Sequence, residues 1–171
     1  SFDIVQGLGS SYDTGRFVAP GFVVDTWKLW EWLITTGVRL GNITRKVFPQ
    51  NSISFGYKET TANRYIVNVF PDIEVMTEEN QMLPLYLVDA KYKLLKNSST
   101  GEIERDDLYE AFAFCSATDT KEIVLVYPMD TPTEIPGEVK KCSTYYIKDV
   151  MVHVIQASFG SMREKGGIYT F

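Results

Sequence analysis

The sequence predicts an α/β fold, in which helices flank a central mixed β-sheet. The first observation is a pair of segments, 25–37 and 106–117, in which apolar residues recur at helical spacing behind an aspartate. The second is a set of short apolar runs that are bounded by proline or turn-forming residues, as is typical of strands. These runs lie between the two helices and again after the second one, which favours a single mixed sheet.

The length of the chain favours a single domain. With 171 residues, of which 44% are hydrophobic, the chain is long enough to enclose a core. We interpret residues 1–171 as this one domain and residues 1–21, which hold four glycines and a proline, as a loop-rich arm. Because the sequence begins with serine, we expect a piece or one subunit of a larger system.

The first helix is predicted over residues 25–37. Asp25 is a favourable N-cap and Gly37 a favourable C-terminal stop. Apolar residues at positions 29, 30, 33 and 34 predict one buried face. Glu31 lies between tryptophans in mid-helix, so we expect it near the buried side. The three tryptophans are interpreted as core or interface residues rather than as platforms for bases.

The predicted strands share a high content of β-branched and aromatic residues. The apolar start of the segment at 85 is typical of a central strand. A turn at 77–84 precedes it, and loops are predicted at 96–104 and 129–139. The predicted strands are 45–57 with a break near Pro49, 64–76 passing through Pro71, 85–95, 122–128 and one or two within 145–156.

The second helix is predicted over 108–117. Asp106 or Asp107 is its expected N-cap. Its apolar residues recur at helical spacing and predict a core-facing stripe. The stripe consists of Leu108, Ala111, Phe112 and Cys115.

The charge and the histidine and cysteine content of the chain argue against several classes of function. The net charge of -5 argues against a tight, non-specific nucleic-acid binder that acts alone. His153, the single histidine, is interpreted as structural, which excludes a zinc centre and histidine-based triads. Cys115 and Cys142 lack a CxxC pattern and are interpreted as reduced thiols of a cytosolic protein. No apolar run approaches the roughly 20 residues that a membrane helix needs.

Three charged residues carry the predicted chemistry. Asp72 follows Pro71, and both Asp89 and Lys91 emerge from the apolar strand that starts at 85. Side chains two positions apart on a strand point to the same face, so Asp89 and Lys91 project together. If the turn at 77–84 joins two strands as a hairpin, Asp72 comes close to Asp89. An isolated Asp-x-Lys is commonly a surface ion pair, but unpaired charge in a buried strand is costly.

This arrangement suits a divalent metal site. Two carboxylates and the backbone carbonyl of Ala90 are oxygen ligands of the kind that Mg²⁺ or Mn²⁺ prefers. Glu31 is a further ligand candidate if its helix packs beside the sheet. The metal would polarise a phosphodiester and lower the pKa of an attacking water. Lys91 would orient that water or stabilise charge in the transition state. We therefore expect metal-dependent phosphodiester hydrolysis.

Several stretches of the chain together resemble a known nuclease pattern. They are Pro71-Asp72-Ile73, Val88-Asp89-Ala90-Lys91-Tyr92-Lys93, Asp107-Leu108-Tyr109-Glu110 followed by Ala113-Phe114, and Val124-Leu125-Val126-Tyr127-Pro128. The chain resembles the PD-(D/E)xK nuclease superfamily over roughly residues 22–128. More closely, it resembles the McrC-type nuclease subunits of McrBC-like restriction systems, including the LlaJI-like branch. The helix around Glu31 is similar to the acid-bearing first helix of that family.

The resemblance implies a restriction-endonuclease-like core and assigns site residues. Asp72, Asp89 and Lys91 are implied to be catalytic, with Glu31 as a supporting acid. The family usually has glutamine at the position of Glu110. That residue is therefore a supporting candidate only, together with Tyr109 and Lys93.

The resemblance also implies a cofactor and partners. The cofactor is Mg²⁺ or Mn²⁺, the substrate is DNA, and the partner is a McrB-like AAA+ GTPase motor, because this chain has no Walker A motif. A single active site cuts one strand, so we expect homodimerisation in the active assembly. The implied setting is the cytoplasm of a prokaryote, with no membrane contact.

Two alternatives remain open from the sequence. One is a nuclease of the same fold that acts in DNA repair or recombination. The other is an inactive nuclease fold used as an assembly module, although the presence of Asp72, Asp89 and Lys91 argues against it. Glu74, which we expect on the same strand face as Asp72, is a spare ligand candidate.

Overall fold

The structure is a computed structural model that describes residues 25–77, 83–129 and 138–158. These residues form two helices and eight strands. The helices are α1 (Thr26–Gly41) and α2 (Arg105–Thr118). The strands are β1 (Lys46–Pro49), β2 (Ile53–Glu59), β3 (Arg64–Val69), β4 (Ile73–Met76), β5 (Pro84–Ala90), β6 (Glu122–Pro128), β7 (Val139–Ile147) and β8 (Val150–Ala157).

Six of the strands form one mixed sheet in the order β1-β4-β5-β6-β8-β7. The pairs β1–β4, β4–β5 and β7–β8 are antiparallel, whereas β5–β6 and β6–β8 are parallel. β5 and β6 lie in the centre and carry the apolar runs that the sequence predicted for central strands. The α/β fold class with a central mixed sheet is therefore confirmed.

Each face of this sheet packs against one helix. Successive residues of β5 point to opposite faces, so Leu87 joins one core cluster and Val88 the other. On the Val88 side, α1 contributes Trp30, Ile34 and Val38, all fully buried. On the Leu87 side, α2 contributes its stripe of buried residues to the second cluster. That stripe comprises Ala111, Phe114 and Cys115.

β2 and β3 form a separate two-stranded antiparallel sheet. Most of its residues are exposed, and it leads out of β1 and back into β4. The sequence predicts one continuous strand over 64–76. That prediction is wrong, because the chain leaves the ladder at Phe70–Asp72 and β3 and β4 belong to different sheets. Proline has no N–H to donate to a ladder, which explains the break at Pro71.

Four predicted boundaries are corrected by the structure. α1 continues through the buried Gly37 to Gly41, because packing of Val38 in the core outweighs the cost of about 1 kcal/mol for a mid-helix glycine. α2 has Glu104 at its N-cap position, which places both Asp106 and Asp107 in its first turn. The third strand ends at Ala90 rather than 95, and the final strands begin at 139 rather than 145.

Other predictions for the scaffold have mixed outcomes. Asp25 occupies the N-cap position of α1, but its carboxylate pairs with Lys28 at 2.7 Å and makes no capping bond. Trp30 is buried, whereas Trp27 and Trp32 are exposed, so the core interpretation holds for Trp30 alone.

Some predicted segments lie outside the described residues. They are the arm at 1–21, parts of the segments at 77–84 and 129–139, and the tail. In the described ranges, no helix is long and apolar enough to cross a membrane.

Candidate active site

The register of β4 and β5 brings two carboxylates together. Ile73 pairs with Val88, so Asp72 at the start of β4 lies beside Asp89 at the end of β5. The backbone N–H of Ala90 donates a hydrogen bond of 2.7 Å to Oδ2 of Asp72. The two aspartate carboxyls are close enough for each to shift the pKa of the other. The hairpin expected from the sequence therefore places these carboxylates as predicted.

Lys91 lies between acidic groups from two elements. Its Nζ is 2.5 Å from Oδ2 of Asp89 and 2.5 Å from Oε2 of Glu110 on α2. The Lys91 backbone N–H donates to the carbonyl of Val126, which continues the parallel ladder one step beyond β5. Only 12% of the Lys91 side chain is exposed, and Asp89 is 4% exposed. The Asp89–Lys91 pair is thus a buried ion pair with fixed geometry.

A second acidic side chain of α2 reaches the same region. Asp107 is buried and accepts a hydrogen bond of 2.7 Å from the Tyr127 hydroxyl of β6. Its other oxygen is 2.8 Å from Nζ of Lys93 and 4.0 Å from Nζ of Lys91. Lys93 therefore pairs with α2, and Asp107 adds a further negative charge beside Lys91.

Glu31 approaches the site from α1. Its carboxylate is close enough to Asp72 to raise the pKa of that group. Oε1 of Glu31 accepts a hydrogen bond from the side-chain amide of Gln50, in the loop between β1 and β2. The backbone N–H of Gln50 donates to the carbonyl of Asp72 at 2.8 Å. The loop thus contacts both acids.

The pKa values of Asp72 and Asp89 are both raised, and burial is the main cause. Burial, followed by repulsion from Asp89, raises the pKa of Asp72 to about 8, against the opposing hydrogen bond from Ala90. Burial also raises the pKa of Asp89, although attraction to Lys91 opposes this. Two neighbouring carboxylates in one site cannot both ionise easily, so at neutral pH the pair retains a proton.

The pKa of Lys91 is shifted in the opposite sense to what burial alone would give. Burial lowers it, but Asp89 and Glu110 together raise it above the usual lysine range. Lys91 is therefore a fixed ammonium at neutral pH. It can donate hydrogen bonds and stabilise negative charge, but it does not act as a base.

Comparison with known proteins identifies the family. A family model described as the McrBC 5-methylcytosine restriction system component matches residues 4–128. The chain belongs to this family. The resemblance to McrBC-like systems seen in the sequence is thereby confirmed. No curated protein matches the sequence.

A solved structure shows the same fold as this McrBC-family chain. It is the refined half-complex from a tetradecameric assembly of Thermococcus gammatolerans McrB AAA+ hexamers with bound McrC. The TM-score is 0.61 at 16% sequence identity, and the match covers 85% of this chain. It covers only 31% of the other chain, so this chain spans less than a third of that length.

The donor set of this McrBC-family site fits a hard divalent cation. Asp72 and Asp89 present neighbouring carboxylates that retain a proton, and a cation can replace that proton. The adjoining carbonyl of Ala90 is the third oxygen in the predicted set. Within residues 25–77, 83–129 and 138–158, no three His, Cys, Asp or Glu side chains are grouped as direct ligands. Such a site would therefore rely on backbone and water oxygens, which suits Mg²⁺.

Several residues that we singled out lie apart from this cluster. Tyr109 is 65% exposed on α2. Glu74 is buried within β4; burial raises its pKa and a hydrogen bond from Asn51 opposes the shift. His153 lies on β8, 3.0 Å from a carboxylate oxygen of Glu122, in agreement with its structural interpretation.

Three residues that contact this site were not predicted from the sequence. Each of them reaches the site through a contact between elements that are distant in sequence. These residues are Gln50, Tyr127 and Asp107, the last as a partner of the lysines. The one local signal was the aspartate pair at 106–107. We assigned it to helix capping, whereas Asp107 points into the cluster.

Proposed function

We propose that this chain is a metal-dependent DNA endonuclease that hydrolyses phosphodiesters as the cleavage subunit of an McrBC-like restriction system. The observation that carries the proposal is the cluster that the buried Asp89 forms with the half-buried Asp72 and Lys91. Withdrawing three ionisable groups from water at adjoining strand ends is costly for stability and serves no evident packing purpose. Clusters of this kind, with perturbed pKa values, are typical of functional sites.

Asp72, Asp89 and the Ala90 carbonyl would hold Mg²⁺ or Mn²⁺, and Glu31 would assist through water. When bound, the cation supplies polarisation of the phosphodiester and a lowered pKa for the attacking water. The side chains of this site would exclude bulk water from one side, because Asp89 is almost fully buried.

Lys91 stabilises the charge that develops on the phosphoryl oxygens. Its ammonium is held by Asp89 and Glu110, both 2.5 Å away, so it is oriented before the substrate arrives. Its raised pKa keeps it charged throughout the neutral range. Glu110, whose side chain is 50% exposed, would release Lys91 towards phosphate once the substrate binds.

The proposed partners are DNA and a motor protein. The sequence has no Walker A motif, so nucleotide hydrolysis would come from a McrB-like AAA+ GTPase. The similar solved structure is a complex of McrB hexamers with bound McrC, which supports this choice of partner. With a net charge of -5, the chain would depend on its partner for DNA affinity. Homodimerisation within the assembly would allow both strands to be cut.

The test is cleavage of methylated plasmid DNA by the complex of this chain with its motor subunit, GTP and Mg²⁺. We expect cleavage by the wild type and a loss of at least about 100-fold for Asp89→Asn or Lys91→Met, since each removes electrostatic stabilisation from the reacting centre. Lys121→Met, which removes an exposed lysine paired with Asp149, is the matched control and should cleave normally.

Other results of this test would point elsewhere. Normal cleavage by Lys91→Met protein would refute the proposed site. Cleavage of branched or single-stranded DNA without any NTPase would assign the chain to repair or recombination. A complex that forms but never cleaves, whatever the cation, would indicate an assembly module.

A further inference from the structure

We propose that Gln50 is a positioning residue that holds the Glu31 carboxylate beside Asp72. This inference rests on the proposed nuclease function and names a residue of that same site. Gln50 lies in neither helix nor strand, in the loop that leaves β1. Nothing in its local sequence, Pro49-Gln50-Asn51, marks it as functional.

The backbone of Gln50 is fixed in an unusual conformation. Its φ of +49° lies in the left-handed region, which residues with a Cβ rarely adopt. In this conformation its N–H donates to the carbonyl of Asp72 at 2.8 Å. Such strain is retained where the surrounding structure requires it, and it is concentrated at functional sites. The loop is thereby tied to Asp72, the residue that directly precedes β4.

The side chain of Gln50 makes the second connection. Its amide nitrogen donates a hydrogen bond to Oε1 of Glu31 on α1. One residue therefore joins the first helix to the start of β4 across the candidate site. This hydrogen bond holds the half-buried Glu31 carboxylate beside Asp72 rather than in solvent.

A neutral amide suits this position better than a cation would. A lysine or arginine here would pair with Asp72 as well as Glu31 and neutralise the negative potential that attracts a divalent cation. The glutamine amide orients Glu31 and adds no charge to the site. Gln50 thus fixes the position of the Glu31 carboxylate without changing the charge of the site.

The two roles of Gln50 can be separated by substitution. Gln50→Gly removes the side chain and relieves the left-handed strain, whereas Gln50→Ala removes the side chain and keeps the strain. Both variants should reduce single-turnover cleavage in the complete complex by about 10- to 100-fold, the usual effect of losing a partner of a ligand residue. Gln50→Ala loses the hydrogen bond to Glu31 with no relief of strain, so it should lower the unfolding temperature more than Gln50→Gly does. Lys148→Gly, at φ +54° in the β7–β8 turn, is the matched backbone control and should cleave normally.

A double-mutant cycle tests whether Gln50 acts through Glu31. We expect Gln50→Gly to have no further effect on cleavage, or on Mn²⁺ affinity measured by calorimetry, when Glu31→Gln is already present. Equal losses in both backgrounds would overturn the inference, as would normal cleavage by Gln50→Gly. If the wild-type complex fails to cleave, the proposed function fails, and the Mn²⁺ affinity cycle alone then decides the role of Gln50.

Discussion

The carboxyl group of Asp72 lies beside that of Asp89 at the adjoining ends of β4 and β5, where burial and repulsion from Asp89 raise the pKa of Asp72 to about 8. The pair therefore retains a proton at neutral pH when no cation is present. The proton and a divalent cation therefore compete for the same oxygens. The consequences can be measured on the isolated chain, without DNA or a partner.

The stability of the metal-free chain should decrease as pH rises. The pKa of Asp72 is about 8 in the folded state and 3.8 as its ordinary value, so the folded state binds more protons between these limits. Stability must then fall from about pH 4 to about pH 8. Urea unfolding in EDTA at pH 5 to 8 measures this slope. Asp72→Asn should flatten it, and a wild-type slope of zero would contradict the assignment.

Removing Lys91 should destabilise the chain because it leaves Asp89 buried without its cation. We expect Lys91→Met to reduce the free energy of unfolding by about 3 kcal/mol at pH 8. At pH 5 the loss should be smaller, since Asp89 can take up a proton. Urea unfolding at both pH values gives the result. A loss no larger than that of the exposed control Lys121→Met would show that the pair is not buried in solution.

The hydrogen bond between Tyr127 and Asp107 should contribute to both stability and the position of Lys93. Tyr127→Phe leaves a buried carboxylate with one partner fewer, which costs about 1 to 3 kcal/mol of unfolding free energy. Chemical denaturation measures the loss. Tyr109→Phe, which alters an exposed hydroxyl on α2, is the control and should have no effect. Equal stability of the two variants would count against the Asp107 network.

Cys115 should be inert while the chain is folded. Burial raises the pKa of its thiol to about 12, so almost no thiolate is present at pH 8. In a Cys142→Ser background, a chromogenic disulfide reagent should therefore react only after urea is added. Rapid reaction of the native protein would show that α2 does not pack the Cys115 thiol against the sheet in solution.

Much of the site could be predicted from the sequence because its main geometry is local. A turn between two apolar runs implies a hairpin, and the two-residue spacing of Asp89 and Lys91 puts both on one face. The order of the parallel strands and the assignment of β3 and β4 to different sheets were not predictable in the same way. They depend on which strands pair across the sheet, and no local pattern specifies that.

The contacts missed by the sequence analysis are all non-local. Gln50 meets Glu31 only because the β1–β2 loop passes the first helix, and its left-handed φ has no signature in a glutamine. Asp107 had a sufficient local explanation as a helix cap, which concealed its contact with Lys93. The end of α1 was placed at Gly37 because the packing of Val38 in the core was unknown.

Mn²⁺ binding measured by calorimetry tests the central claim most directly. The wild-type chain at pH 7 should bind Mn²⁺ and release a proton, which is detected as a dependence of the heat on buffer ionisation. Asp89→Asn should abolish both binding and proton release, while Glu74→Gln, a buried acid of β4 outside the cluster, should retain them. Binding that survives in Asp89→Asn, or no binding by the wild type, would contradict the account.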